Sequence, residues 1–319
     1  MKSILKGLFT TIVVIGFIGI LLFSMKQGYF GVIDTSLDIS DPYTRGGFEV
    51  VSDGYLVDYW GDEKEIVLPS TIKTISTKAF EGNEDIISIT IPNSVEVIEP
   101  RAFANCKNLQ TVILDANIEV LEYKTFYNCK SLTSITLANQ IQKIGYSAFE
   151  NCKSLTSVNL PKQLSFIGGK AFKSCILNTI EIPKSLQKVG KKGSDGPFTS
   201  SGLSTITFEE GIERIPANLF IGANMSEVTI PATITKIDKN AFAYCKELTK
   251  VTLEEGIQEI DKYAFRDCVA LETMNLPASL KNISNTVINN CNKVKFVVVE
   301  DSKGHQFVEK YELEYELKK

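Results

Sequence analysis

Apolar residues return along the chain in pairs two positions apart: Ile89/Ile91, Val112/Leu114, Ile135/Leu137, Val158/Leu160, Ile180/Ile182, Ile206/Phe208, Val228/Ile230, Val251/Leu253 and Met274/Leu276. A spacing of two sets both side chains on one face of a strand, so each pair predicts a short strand with one buried face. A turn follows, often with proline (Pro92, Pro161, Pro183, Pro231, Pro277), and then a second apolar pair such as Leu164/Ile167 or Ile257/Ile260. An Ala-Phe element closes each unit. Its aromatic falls at Phe80, Phe103, Phe126, Phe149, Phe172, Phe198, Phe220, Phe242 and Phe265, with Ile288 in the last copy, at intervals of 23, 23, 23, 23, 26, 22, 22, 23 and 23 residues. One such unit cannot bury its own apolar faces, whereas stacked units share a continuous core.

A fixed period in this range with this core indicates a leucine-rich-repeat solenoid. The expected architecture is a parallel β-sheet on one face and a short helical or 3-10 turn at each Ala-Phe element on the other. The 26-residue interval contains "KKGSDGPFTSSG" (191–202), whose glycines and serines predict a loop bulging from the solenoid, tolerant of trimming. At the start, "FEVVSDGYLVDYWG" (48–61) places Asp53-Gly54 between two alternating runs and predicts a hairpin over the first unit. At the end, "YELEYEL" (311–317) alternates Tyr311, Leu313, Tyr315 and Leu317 with glutamates, which predicts a terminal strand with one apolar and one charged face.

The first 26 residues follow different rules. Lys2 and Lys6 precede the uncharged stretch from Gly7 to Met25, which ends at Lys26. As a helix its nineteen residues span about 28 Å, close to the hydrocarbon thickness of a bilayer. The reading is an uncleaved signal anchor with the N-terminus inside and the remainder outside. A cleaved signal peptide, and hence secretion, is the competing reading, although "LLFSMKQG" offers poor cleavage residues. The chain thus divides into a signal anchor (1–26), a polar tether (27–47) and the solenoid (48–319). Within the solenoid lie an N-cap (48–69), the repeats (70–299) and a C-cap (300–319).

The phrases "RAFANCKNLQTVIL" (101–114), "SAFENCKSLTSVNL" (147–160) and "NAFAYCKELTKVTL" (240–253) share the pattern A-F-x-x-C-x-x-L-x-x-V-x-L, with isoleucine in place of valine in copies such as Ile135. This pattern closely resembles the BspA-like class of leucine-rich repeats, over about residues 48–318. The resemblance implies a surface or secreted protein that binds other proteins or host components. The ligands of that class are diverse, so function transfers only loosely.

Composition narrows the chemistry. A net charge of −4 gives no electrostatic footprint for nucleic acid. His305 is the single histidine of the chain, and most Ser, Cys and zinc hydrolase schemes need one in the site. The seven cysteines, Cys106, Cys129, Cys152, Cys175, Cys245, Cys268 and Cys291, each sit three residues after the aromatic position. Asn83, Ser201 or Ala223 takes that slot elsewhere, so the expectation is buried free thiols filling a small slot. Disulfides are disfavoured because equivalent side chains in a ladder run parallel, and metal binding because no C-x-x-C or histidine partner exists. The acid pairs Glu209-Glu210 and Glu254-Glu255 occupy equivalent turns two units apart. Solvated turns are the expected role, and no cofactor is implied.

The outward strand positions form a short, polar column. Its ligand-binding candidates are Ser88, Thr90, Thr136, Asn159, Glu181, Thr207, Thr229 and Thr252. Threonine is favoured in strands by propensity alone; a solenoid that binds on its extended face would use the same positions. The function expected is a membrane-anchored, extracytoplasmic, non-enzymatic module that binds a protein or glycan, with adhesion as its use. A structural scaffold for another envelope protein is the alternative.

Overall fold

The computed structural model describes residues 47–193 and 195–318. Among them about eleven rungs stack along one axis. The anchor (7–25) and most of the tether lie outside the described residues, and within these no helix is long and apolar enough to cross a membrane.

The front of each rung is a strand. Glu65–Val67, Ser88–Ile91, Thr111–Leu114 and Ser134–Thr136 pair in parallel, with Ile89 beside Val112 and Val112 beside Ile135. The paired apolar residues fix this register, since a slip by one position would turn Ile89 and Ile91 out to solvent. Farther on, Glu227–Ile230, Lys250–Leu253, Thr273–Leu276 and Lys295–Val298 form a second run of the same kind. The return leg, where the sequence shows only an apolar pair, is itself a parallel sheet of two-residue strands such as Thr74–Ile75, Val97–Ile98, Lys143–Ile144 and Lys236–Ile237.

The Ala-Phe element is not the helical or 3-10 turn that the sequence predicts. Among the described residues helix occurs at Lys303–Lys310 and a 3-10 turn at Ser52–Gly54, both outside the repeats. Around nearly every aromatic the backbone instead enters the left-handed region twice, as at Arg101 (φ 65°) and Asn105 (φ 63°) about Phe103, or Ser147 (φ 57°) and Asn151 (φ 66°) about Phe149; Phe198, after the insertion, has one such residue, Ser200 (φ 54°). A helical turn closes its hydrogen bonds within itself. Here the twist points alternate amides along the axis: Phe103 N–H donates to Thr125 O at 3.0 Å and Asn105 N–H to Tyr127 O at 2.7 Å. A left-handed residue other than glycine costs about 1–2 kcal/mol, and these bonds between rungs offset it.

Inside this frame the phenylalanines form one buried column. Ring centroids are 4.8 Å apart at Phe80–Phe103 and 5.1 Å at Phe149–Phe172, with planes within 14° and 7°. The alanine before most of them, as at Ala102 and Ala148, is buried because the neighbouring rung leaves room for little more. All seven cysteines are buried and unpaired. Each donates its Sγ–H to a phenylalanine carbonyl of the preceding rung, as Cys152 to Phe126 O and Cys175 to Phe149 O, both at 3.2 Å. The slot thus asks for a small residue, and the thiol fills it while also donating; Ala223 in the same slot fills it without a bond.

The ends are closed differently. Phe48–Val51 and Tyr55–Tyr59 form the expected antiparallel hairpin, with positive φ at Asp53 (61°) and Gly54 (73°) as a tight Asp-Gly turn requires. Phe48 and Tyr59 extend the aromatic column, Tyr59 lying 5.2 Å from Phe80. At the other end the predicted strand over 311–317 is corrected: helix Lys303–Lys310 comes first and only Tyr315–Leu317 is strand. Ser302 caps that helix by accepting from His305 N–H at 3.1 Å, and Phe307 packs edge-on against Phe296. The helix therefore covers the last rung, while Tyr315 and Leu317 stay 37% and 44% exposed.

The insertion does not bulge freely. Lys192 and Asp195 bridge each other, and Gly196 O and Pro197 O accept from Lys170 N–H and Phe172 N–H at 2.9 and 2.8 Å. Asp195 holds both Lys170 and Lys173, at 3.1 and 2.9 Å. Its downstream end is part of the ladder, which a glycine- and serine-rich composition does not reveal. Near it the stack is loosest. The second sheet is interrupted between Lys188–Val189 and Arg214–Ile215, and the front sheet between Thr205–Phe208 and Glu227–Ile230. The aromatic steps Phe172–Phe198 and Phe198–Phe220 widen to 5.6 and 5.8 Å, the latter tilted by 25°.

Candidate functional site

The outward column lies where the strand alternation places it. Thr136, Asn159, Glu181, Thr207 and Thr229 are exposed, and Ser88, Thr90 and Thr252 are half-buried. The column is not uniformly polar: Val67 and Ile113 occupy it too, at 73% and 44% exposure. Alternation alone identifies both as outward, because Ile66 and Val112 beside them are core residues.

Besides the break between Thr205–Phe208 and Glu227–Ile230, this face departs from the regular ladder at one further place. Pairing stops after Ser134–Thr136 and resumes with Thr179–Ile182 against Thr205–Phe208. Residues 157–160 between them belong to no strand, and no main-chain group of theirs has a hydrogen-bond partner among the described residues. The opening coincides with a shortened turn. Leu155 lies three positions after Cys152, but Leu177 only two after Cys175. Rung carbonyls here bond only forward, Leu155 O to Ile176 N–H at 3.2 Å and Thr156 O to Asn178 N–H at 3.0 Å.

The result is a cleft of about 410 Å³. Thr136, Asn159 and Glu181, three of the sequence candidates, stand around it, with Lys162 and Glu209 also on its lining. Its floor reaches the inward side chains Ile135, Leu137 and Val158, which are 6–7% exposed where most core residues are 0–1%. The cleft therefore combines unpaired amide groups, neutral hydrogen-bonding side chains, opposite charges and a small apolar floor. A neutral polar ligand with some apolar surface meets all of these. Ser88, Thr90, Thr207 and Thr229 are not brought into it.

A second hollow, about 550 Å³, lies near the C-terminal end and includes Thr252, Asn275, Val297 and Lys318. Here the ladder is repaired by a side chain: Asn275 Nδ2 donates to Leu253 O at 2.6 Å and its Oδ1 accepts from Leu253 N–H at 2.7 Å. With its amides satisfied, this hollow offers a ligand less than the 157–160 opening does.

The acid pairs serve the turns. Glu254 accepts from Ala232 N–H at 3.0 Å, Glu255 from Ala278 and Ser279 N–H at 3.1 and 3.0 Å, and Glu209 from Lys184 N–H at 3.0 Å. Burial alone would raise the Glu255 carboxyl, but the bonds from Ser279 and Ala278 outweigh it and hold it below its ordinary value.

The sequence profile of the BspA type leucine rich repeat region, in six copies, matches residues 73–196 and 167–295. No curated protein matches the chain. Among solved structures, a leucine rich cell surface protein from Faecalibacterium prausnitzii is 20% identical, with 88% of this chain and 96% of that one aligned at a TM-score of 0.42. A leucine-rich repeat protein from Bacteroides ovatus is 18% identical over 91% and 100%, at 0.40. The pneumococcal vaccine antigen PcpA is 17% identical over 86% and 99%, at 0.48.

Proposed function

Because the chain belongs to the BspA-type leucine-rich-repeat family, we propose that it is a non-enzymatic binding module, anchored by residues 7–25 with its solenoid outside the membrane. Its ligand is a protein or glycan taken on the front sheet at the 157–160 opening. One observation carries the reading: the regular ladder lapses where Thr136, Asn159 and Glu181 stand around one cleft, leaving the main-chain groups of 157–160 without partners among the described residues. The charge bias around Gly7–Met25 supports the anchor. Glu209, Glu254 and Glu255 accept from backbone N–H groups, which supports a turn role for these acids.

Full-length chain, purified in detergent, is used to capture surface proteins and glycans, alongside the Thr136→Arg/Asn159→Arg variant. Two exposed side chains change, so the melting temperature is expected to hold while capture falls at least tenfold through bulk and unpaired charge. Normal capture by the variant would remove the front-sheet assignment. A stoichiometric membrane partner retained by both forms would favour the scaffold alternative. Protease added to intact cells is expected to digest 48–319, and full protection would refute the topology.

A further inference from the structure

A second surface, on the turn side and independent of the front sheet, combines aromatic rings with unneutralised cations. Positions 123, 146 and 169 are equivalent in three successive rungs and hold Tyr123, Tyr146 and Gly169; in the next rung the equivalent is Lys191, with Lys192 one residue beyond it. Lys192 Nζ reaches back over Gly169 to lie 5.4 Å from the Tyr123 ring centre. Lys124 Nζ is 5.3 Å from the same ring and 4.4 Å from that of Tyr127. Tyr146 extends the other way, 6.0 Å from Phe166 and onto Gly190, where a β-carbon would meet its ring and hydroxyl at 2.6–2.9 Å. Glycine at 190 is what lets this ring lie along the solenoid axis.

The charges do not cancel. Lys170 and Lys173 both bond Asp195, with Glu150 also acting on Lys170, and Lys124 and Lys192 make no ion pair among the described residues. Their field is felt locally: burial would raise the Tyr123 phenol, yet Lys124, Lys192 and Arg101 bring it below its ordinary value. An excess of cations on a chain of net charge −4 is a local feature that attracts anions. Tyrosine adds broad, rigid, amphipathic faces that lose little entropy on contact.

We propose that this patch binds an acidic polysaccharide, with sugar rings lying on the tyrosine faces and carboxylates at Lys124 and Lys192. A polymer suits it because the rings and cations are spread over several rungs along the axis, so successive sugar units can meet them in turn. Polyphosphate offers charge without a ring, and an acidic peptide offers charge without a flat saturated face.

The test titrates full-length chain in detergent with oligogalacturonate, its carboxyl-reduced neutral form, polyphosphate and poly-glutamate, read by tyrosine fluorescence and calorimetry. Oligogalacturonate is expected to bind at least tenfold more tightly than the other three, and less tightly as salt is raised. Lys124→Ala/Lys192→Ala is expected to weaken it about tenfold, the scale of two charge-assisted contacts, at unchanged melting temperature. Tyr127→Leu, which keeps bulk but removes the flat face, is expected to weaken it without altering the salt dependence. Equal binding of the neutral form, equal binding of polyphosphate or poly-glutamate, or indifference to the double lysine variant would each overturn the proposal.

Discussion

Phe149 lies between Phe126 and Phe172 at 5.5 and 5.1 Å and is fully buried. Truncating it removes one ring from a column in which each ring is wall to two others. Phe149→Ala is expected to cost roughly 3–5 kcal/mol, measured by chemical denaturation. The sequence announced this residue plainly, since an aromatic recurring every 22–26 positions has no other explanation than a shared core. The thiols were legible only in part. Their small slot shows in the exchange with Asn83, Ser201 and Ala223, but donation across 26 residues to a carbonyl of another rung depends on stacking geometry. Burial pushes the Cys152 thiol up, and that of Cys175 up to about 12 from an ordinary 9.0. The unfolded chain releases these protons above pH 9 while the folded chain keeps them. Stability from this source is therefore complete below pH 9 and is lost as pH rises toward 12, by about 1.4 kcal/mol per pH unit for each thiol. The melting temperature is expected to fall between pH 9 and 11, less steeply in Cys152→Ala/Cys175→Ala. Thiol reagents at pH 7 are expected to label the cysteines only after denaturant is added, with no reductant needed.

At the scale of elements, the strands and their inward faces follow from two-residue spacing, and the hairpin follows from Asp53-Gly54. The turn that carries each phenylalanine does not. Lys, Arg, Ser and Tyr at left-handed positions such as Lys124, Arg101, Ser147 and Tyr263 break the usual glycine signal, because bonds to the next rung override local preference. The C-terminal helix was hidden for a similar reason: "YELEYEL" alternates, yet Ser302 caps a helix upstream and takes the closing role. The cleft was visible only in its residues. Thr136, Asn159 and Glu181 could be placed on one face, but their convergence comes from a pairing lapse. The insertion shows the limit most sharply. A composition of glycine and serine suggests a dispensable loop, whereas Asp195 binds two lysines and is 19% exposed. Asp195→Ala is expected to lose about 1 kcal/mol, since partly solvated ion pairs are screened. Gly193 has open space around its α-carbon, so Gly193→Asn, which keeps a residue tolerant of its φ of 66°, is expected to change stability little. Thermal denaturation of the two variants checks both.

Across the whole molecule, each rung touches chiefly the rungs before and after it, so stability sums over neighbours and depends on both ends being closed. The hairpin extends the aromatic column at one end, and Phe307 and Val308 seal the other. In such an array the interfaces need not be equal. Between Phe172 and Phe220 the rings stand farthest apart and both sheets are interrupted within two rungs. Hydrogen exchange is expected to show the amides around 189–228 opening before those around 89–135. Uniform protection along the array would contradict this. A chain held at one end and pulled at the other would then yield there first. Rungs in series carry the same tension, so the two halves would come apart there as blocks, each keeping its own rings stacked, before the rungs at 134–136 gave way. That seam is a mechanical fuse set between two stiffer rods.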